Sequence, residues 1–451
     1  MPAALDQVFK AYDVRGVYPD QLDEELAERV GRAFVALTGA GTLAIGQDMR
    51  PSSKPMADAL AAGAMAQGAD VLRVGLCSTD MLYYVSGALD VAGVMLTASH
   101  NPARYNGLKL CRPGAVPVGE ESGLADIKRM VAAGEPAADA AERGRERQAD
   151  DLLERYAAHV RGFADRGALR PLKVVADAGN GMAGHVVPAV FAGLPFELVS
   201  MYFELDGSFP NHPADPLNPE NLRELQARVV AEGADVGLAF DGDADRVFLV
   251  DEQGATVPSS LVGALVARLM CEREPGATVL YNLICSRVVP ETIREAGGIP
   301  VRTRVGHSFI KGVMAETGAI FGCEHSGHYY FRDNYRADSG LIAALVALDA
   351  LSRAGRPLSE VLAPYRRYAA SGEVNRRVDD PGKVIGEVAG RYPADAADFA
   401  DGLTVEGGDW WFNLRPSNTE PLLRLNVEAA TEAEMARVRD EVLEAVGGEP
   451  A

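Results

Sequence analysis

Short apolar runs of strand length alternate with stretches of helical spacing through most of this chain, and that alternation limits the fold more than any other feature. A first set comprises a run at 42–46, a helical stretch over 54–67, a run at 71–74 and a run at 91–96. A second opens at 172–177, passes a Gly-Asn-Gly turn and a helical segment from Met182, and continues with a run at 196–202. Leu222, Leu225 and Val229 then give one apolar helix face before the run at 236–240. A third has a run at 277–284, a helix over 288–296, a run at 300–305 and a helix bearing Leu341, Leu345 and Leu348.

Such alternation stacks helices on largely parallel sheets, so the expected class is α/β: three similar mixed or parallel α/β domains. The stretch 131–151, rich in Ala, Glu, Arg and Asp, lacks strand character and reads as a helical or flexible boundary. From about Ser371 the patterns are more interrupted. This segment holds both tryptophans, Trp410 and Trp411, and a helix over 432–446, so a C-terminal α+β domain is expected. With 451 residues, too many for one core, the expected domains are 1–149, 150–250, 251–368 and 369–451.

Charge narrows the partners. The chain has 44 basic and 64 acidic residues, net −20, which is the wrong sign for nucleic acid. No charge-free apolar segment reaches a membrane-spanning length, and the N-terminus carries charges without an apolar leader. Five scattered cysteines with no CxxC pair fit reduced thiols. The expectation is a cytoplasmic protein acting on small molecules, with no signal for an oligomeric state. A small anionic substrate remains compatible, because a few arginines or a metal make one cleft locally positive.

In open α/β sheets, function gathers beyond the carboxyl ends of strands. The run at 91–96 leads into Thr97-Ala-Ser-His-Asn-Pro102, which puts Ser99 at such an end. The run at 236–240 leads into Asp241-Gly-Asp-Ala-Asp-Arg246, with another run at 247–250 behind it. Three carboxylates at alternate positions repel one another unless a cation sits among them, and oxygen ligands favour Mg²⁺, with Mn²⁺ as second choice. Counted from Asp241, acids fall at positions one, three, five and twelve (Glu252), as in an EF-hand. Position six is Arg246 instead of glycine, however, and the flanks are strands, so the EF-hand fails. Arg246 beside the aspartates suggests a second anion, such as a phosphoryl group.

Two further loops carry chemistry. Gly322-Cys-Glu-His-Ser-Gly-His-Tyr-Tyr-Phe331 presents Glu324, His325, Ser326 and His328, and His307 follows the run at 300–305. Four of the seven histidines (His100, His307, His325, His328) thus fall in strand-end loops, which points to a functional cleft. No HExxH or Cys/His spacing supports zinc. Near the C-terminus, Arg415, Ser417, Asn418 and Thr419 offer in one turn the donors that phosphate oxygens need. A serine beside a divalent cation suits a phosphoserine that stores a phosphoryl group between acceptors.

These motifs resemble the α-D-phosphohexomutase superfamily, most nearly its phosphomannomutase/phosphoglucomutase branch. The similarity spans the chain: YDVRG (12–16), TASHNP (97–102), DGDADR (241–246), GHS (306–308), CEHSGH (323–328) and RPSNTEP (415–421), in this order. It implies four domains around a central cleft. Ser99 would be the phosphoserine, and Asp241, Asp243 and Asp245 would bind Mg²⁺ together with its phosphate. Glu324 and Ser326 would grip the sugar hydroxyls, and Arg415, Ser417, Asn418 and Thr419 the phosphate that is not reacting. Tyr12, Arg15, His100, Arg246, His307 and His328 would line the cleft. The implied reaction interconverts hexose 1- and 6-phosphates through a hexose 1,6-bisphosphate, which also serves as activator.

One position departs from the resemblance. The best-known branch carries a lysine, a candidate general acid/base, just before the Cys-Thr/Ser-Arg turn; here that residue is Ile284. His307, or Arg287 acting electrostatically, is expected to take over part of the role. Mannose and glucose differ only at C2, so both are expected as substrates, with mannose preferred. A phosphoglucosamine mutase is the alternative within the superfamily. A metal-dependent phosphohydrolase and a non-catalytic metal-binding scaffold also remain open, although the phosphate clamp argues against both.

Overall fold

In the computed structural model, which describes residues 2–417 and 422–450, the apolar runs form four sheets. The first has seven strands. Val14–Val17, Tyr105–Arg112, Ala92–Leu96, Thr42–Gln47, Asp70–Leu76 and Glu146–Gln148 lie in that order, and Val116–Pro117 pairs with Tyr105–Arg112. Thr42–Gln47 is parallel to both Asp70–Leu76 and Ala92–Leu96, whereas Tyr105–Arg112 is antiparallel to its neighbours. The second sheet has Leu172–Asp177 parallel to Phe196–Met201 and to Val236–Phe240, with Val247–Asp251 folding back antiparallel. It continues through Thr256–Val257, so it extends past residue 250. The third sets Thr278–Asn282 parallel to Ile299–Thr303 and to Phe321–Cys323, with Tyr329–Phe331 antiparallel at the edge. The fourth is antiparallel throughout, around Trp410–Pro416 and Leu422–Ala429, with the helices Pro381–Ala389 and Glu432–Val446.

The class is therefore α/β, three mixed sheets with a C-terminal α+β unit. Helices Ser53–Ala66, Val288–Glu295 and Glu432–Val446 fall where periodicity places them. Two segments differ. Tyr105–Arg112 is a strand inside the first sheet that the apolar runs do not include, because Asn106, Gly107 and Lys109 interrupt its pattern. The region 131–151 is not wholly without strand character. The helix Leu124–Ala133 ends in it, and Glu146–Gln148 adds an exposed edge strand held by backbone pairing with Asp70–Leu76, which needs no apolar pattern.

Burial divides the molecule unequally. One continuous apolar cluster draws on the first three sheets, from Ala44 and Leu82 through Val174 and Leu238 to Phe321 and Leu345. The C-terminal unit has its own core around Phe412, Leu414, Leu425 and Val442. No helix among the described residues is long and apolar enough to cross a membrane.

Tight packing makes two positions informative. Helices Glu24–Thr38 and Ser53–Ala66 approach so closely that a Cβ on Gly63 would lie 2.1 Å from the Glu28 carbonyl oxygen. Gly63→Ala is expected to destabilise by about 1–3 kcal/mol, read as a lower thermal midpoint. In the second unit, His212 bonds the Asp177 carboxylate through Nε2 (2.9 Å) and the Pro213 carbonyl through Nδ1 (2.8 Å). Burial opposes its positive charge, but the Asp177 hydrogen bond and charge outweigh it, and the imidazole pKa is raised above its ordinary 6.5. The contact should contribute fully below that value and fade as pH rises through the raised one. The stability deficit of His212→Gln is thus expected to be largest below the ordinary imidazole pKa of 6.5 and to shrink as pH rises above it, measured by melting curves across pH.

Candidate active site

The carboxyl ends of three sheets converge on one group of side chains. Ala92–Leu96 is buried along its whole length, and its polypeptide emerges at Thr97, whose Oγ1 accepts from the Ser99 amide at 2.9 Å. Ser99 takes a left-handed backbone, φ 50°, which is uncommon for a non-glycine residue. Its hydroxyl is aimed inward, donating to Asp241 Oδ2 at 2.6 Å and lying 3.3 Å from His100 Nδ1, while Arg246 Nη2 donates to it at 3.1 Å. Arg246 also contacts His100 Nδ1 directly. Burial and the Arg246 charge hold the His100 pKa well below the ordinary imidazole range, so the ring is neutral.

The acidic turn joins Val236–Phe240 to Val247–Asp251, two fully buried strands in antiparallel register. Glycine at 242 is a steric requirement: a Cβ there would lie 2.4 Å from the Ser99 carbonyl oxygen. Asp241, Asp243 and Asp245 are buried and bring carboxylate oxygens within 4.8 Å of one another. At an effective dielectric near 20, each like-charged pair at that range repels by roughly 3–4 kcal/mol. Arg246 Nε donates to Asp241 at 2.9 Å, and Thr79 Oγ1 donates to Asp243 at 2.5 Å. Lys109 Nζ bridges Asp243 and Asp245 at 2.7 and 2.6 Å.

Burial raises the Asp241 carboxyl despite Arg246. At Asp245, burial also pushes upward, but Lys109 and then His328 overcome it and the carboxyl sits at about 2. One oxygen each of Asp243 and Asp245 is buried without a hydrogen-bond partner among the described residues. Three carboxylates against two cations, with two orphaned oxygens, fit a hard divalent cation such as Mg²⁺.

The sugar-recognition candidates lie across the cleft. Glu324 follows Phe321–Cys323 and is buried. It accepts from Asn282 Nδ2 (3.3 Å), the Gly306 amide (3.1 Å) and the Tyr330 hydroxyl (2.8 Å). Ser326 Oγ lies 3.0 Å from His328 Nδ1, and His328 Nε2 lies 3.7 Å from Asp245, which ties this loop to the acidic turn. His325 is half-buried, and its imidazole is pushed down to about 3 by desolvation and by Arg415 and Arg424. Tyr12 lies against Gly306 and feels the charges of Glu324 and Arg415. Arg15 bonds Asn101 Oδ1 at 2.7 Å, beside the Ser99 loop. From the C-terminal unit, Arg415 is paired with Glu373 at 3.3 Å, and Ser417 accepts from Arg424 at 3.2 Å.

Two residues of the Leu283–Arg287 turn lie at a junction between units. Arg287 is not turned to the serine loop: its guanidinium donates to the carbonyls of Gly407, Gly408 and Trp410, and its amide to Glu428. It therefore clamps the third unit to the fourth. Ile284 packs with Leu283 and Trp411 at that same junction, so an apolar contact stands where the lysine was looked for. Asn418 and Thr419 lie outside the described residues, as does the side chain of His307, whose backbone opens the helix His307–Thr317. Sequence reasoning missed Lys109 and Thr79. The available signal for Lys109 was a single lysine between Leu108 and Leu110, a charge that a buried strand tolerates only with partners.

Comparison with known proteins places this geometry. Residues 6–137, 154–254 and 258–368 match domains I, II and III of phosphoglucomutase/phosphomannomutase, each described as alpha/beta/alpha, and 373–445 match its C-terminal domain. A protein described as phosphohexose mutases, from Xanthomonas campestris pv. campestris, is 41% identical over 436 residues, covering 96% of this chain and 97% of that one. A phosphomannomutase of Escherichia coli K12 is 39% identical over 445 residues, with the same coverage. The crystal structure of a phosphoglucomutase/phosphomannomutase family protein from Burkholderia thailandensis superposes with a TM-score of 0.89 at 34% identity, covering 98% of this chain and 99% of that one. The chain belongs to the phosphoglucomutase/phosphomannomutase family of phosphate-transferring mutases.

Proposed function

We propose that this enzyme interconverts hexose 1-phosphates and hexose 6-phosphates through a phosphoserine at Ser99, with mannose preferred and glucose also used. The observation that carries the reading is the Ser99 hydroxyl 2.6 Å from Asp241, inside a buried carboxylate cluster that fits a divalent cation. Four units, 1–149, 150–250 (with its sheet continuing to Val257), 251–368 and 369–451, would each contribute one loop. Mg²⁺ would be held by Asp241, Asp243, Asp245 and the Ser99 phosphate, and would neutralise charge on the transferring phosphoryl group.

A hydroxyl of the bound hexose monophosphate attacks the phosphorus of phospho-Ser99. The new sugar O–P bond forms as the Oγ–P bond breaks, and Ser99 Oγ takes back a proton equivalent to the one that the sugar hydroxyl releases. The hexose 1,6-bisphosphate then turns over and returns its other phosphoryl group to Ser99 by the reverse step. Arg246, donating to Ser99 Oγ, stabilises negative charge there. Glu324 and Ser326 orient the sugar, and Tyr12, Arg15 and His328 line the cleft around it. Arg415, Ser417, Asn418 and Thr419 hold the distal phosphate. His307 is proposed to carry the hydroxyl proton, Arg287 being occupied at the domain junction. Added hexose 1,6-bisphosphate would prime unphosphorylated Ser99. All five cysteines are free and buried, which agrees with a cytoplasmic enzyme.

The test is a coupled mutase assay offering mannose 1-phosphate, glucose 1-phosphate and glucosamine 1-phosphate side by side, with Mg²⁺ and trace glucose 1,6-bisphosphate. Mannose 1-phosphate is expected to give the highest kcat/KM. Activity should fall at least ~10³-fold in Ser99→Ala and be lost on chelation. Turnover of glucosamine 1-phosphate alone would make the enzyme a phosphoglucosamine mutase, and phosphate release without isomerisation a phosphohydrolase. In the same assay His307→Ala is expected to lower kcat about 10²-fold; retention within a few-fold would remove the proton-carrier role from this histidine.

A further inference from the structure

Behind the reactive serine lies a guanidinium that the mechanism above leaves unused. Arg50 follows the strand Thr42–Gln47, and its side chain is fully buried. Nη2 donates to the carbonyl oxygens of Ser99 (2.8 Å) and Asn101 (2.7 Å), and Nη1 to those of Pro102 (2.9 Å) and Tyr105 (3.1 Å). Nε donates to Asp48 Oδ2 at 3.1 Å, and the other oxygen of Asp48 accepts from the Arg50 amide and from Ser53. The Ser99 loop is thus wound around one planar cation, with four of its carbonyls turned to the interior.

Converging carbonyls in a buried loop must be paired, and a guanidinium is the side chain with enough donors in a fixed fork to pair all four and a carboxylate together. The first carbonyl in the set belongs to Ser99 itself, whose left-handed backbone persists only where its surroundings impose it. Across the unit boundary, the guanidinium carbon lies over the Phe209 ring of the second unit, 5.0 Å from its centre.

We propose that Arg50 is a positioning residue for phosphoryl transfer: by binding the Ser99, Asn101, Pro102 and Tyr105 carbonyls it holds Ser99 in the backbone conformation that aims Oγ at Asp241 and Arg246. This inference rests on the reading of Ser99 as the phosphorylated nucleophile. Arg50 bonds the backbone of the loop, whereas Glu324, Ser326 and Arg415, assigned to the sugar and the distal phosphate, come from the third and fourth units. Its loss should therefore lower the rate of transfer and leave substrate binding nearly unchanged. A misplacement of about 1 Å at a reacting group is enough to slow transfer by ~10²-fold.

The experiment compares wild type, Arg50→Lys and Arg50→Met, with Ser99→Ala as the blank. Each is incubated with Mg²⁺ and glucose 1,6-bisphosphate, and phosphorylation is followed by intact mass and peptide mapping, normalised to folded protein from melting curves. Wild type is expected to acquire one phosphoryl group at Ser99. Arg50→Lys, which keeps the charge but lacks the fork, should label and turn over about 10-fold to 100-fold more slowly per folded molecule, with KM for the hexose phosphate within about 3-fold of wild type. Arg50→Met should be slower still; if it does not fold, the lysine variant decides. Labelling of Arg50→Lys at the wild-type rate, or a KM that rises as much as kcat falls, overturns the positioning role. Absence of label in wild type, or label retained in Ser99→Ala, instead overturns the phosphoserine reading and this inference with it.

Discussion

Three carboxylates held out of water within 4.8 Å of one another set the terms for the rest of the molecule. Their mutual repulsion has to be met by positive charge and hydrogen-bond donors, and no single unit of the chain supplies enough. Asp241, Asp243 and Asp245 come from the second sheet, but Lys109 and Thr79, which hold Asp243, come from the first, and His328 approaches Asp245 from the third. The acidic turn is therefore a tie between units as well as a candidate metal site. This agrees with the single apolar cluster that runs through the first three sheets. A turn so strongly charged needs a frame that cannot drift, because a buried carboxylate that loses its partner is strongly destabilising.

The C-terminal unit obeys a different logic. Its core is separate, and it meets the third unit through a small apolar cluster of Leu283, Ile284 and Trp411 and through the Arg287 clamp on backbone carbonyls. Arg415 shares the Glu373 carboxylate, from the same unit, with Arg424, so two guanidiniums face one carboxylate and the group keeps a net positive charge.

How much of this was legible depended on whether a residue's chemistry was local. Strand-end loops with unmistakable composition, such as 241–246 and 323–328, announced themselves, because three alternating aspartates or two histidines beside a glutamate have few structural uses. Helix Glu432–Val446 was legible for the same reason, its apolar spacing being an internal property. Tyr105–Arg112 was not, since its place between Val14–Val17 and Ala92–Leu96 is set by pairing with distant strands and its pattern is broken by Lys109. Arg287 shows the converse failure: motif position suggested the cleft, while three carbonyls from the fourth sheet's 407–410 turn drew the side chain to the junction. A motif specifies residue types along the chain, but a long arginine reaches whichever unpaired acceptors the fold brings near.

Ile284 extends that point to chemistry. In an apolar contact with Leu283 and Trp411, the position holds a side chain that can carry neither charge nor proton. Cationic charge at the reacting centre is instead concentrated on the other wall, in the buried Arg246 and the largely buried Lys109, both committed to the aspartates. Because these two groups are fixed by the same carboxylates that would bind the metal, the field around Ser99 is set before any substrate enters. Preorganised charge of this kind favours a transition state whose negative charge builds on the transferring phosphoryl group, since little has to reorient as the reaction proceeds. Under the proposed reaction this would be a division of labour: the first two units would fix the charges that act on phosphorus, and the third and fourth would hold the sugar and its other phosphate.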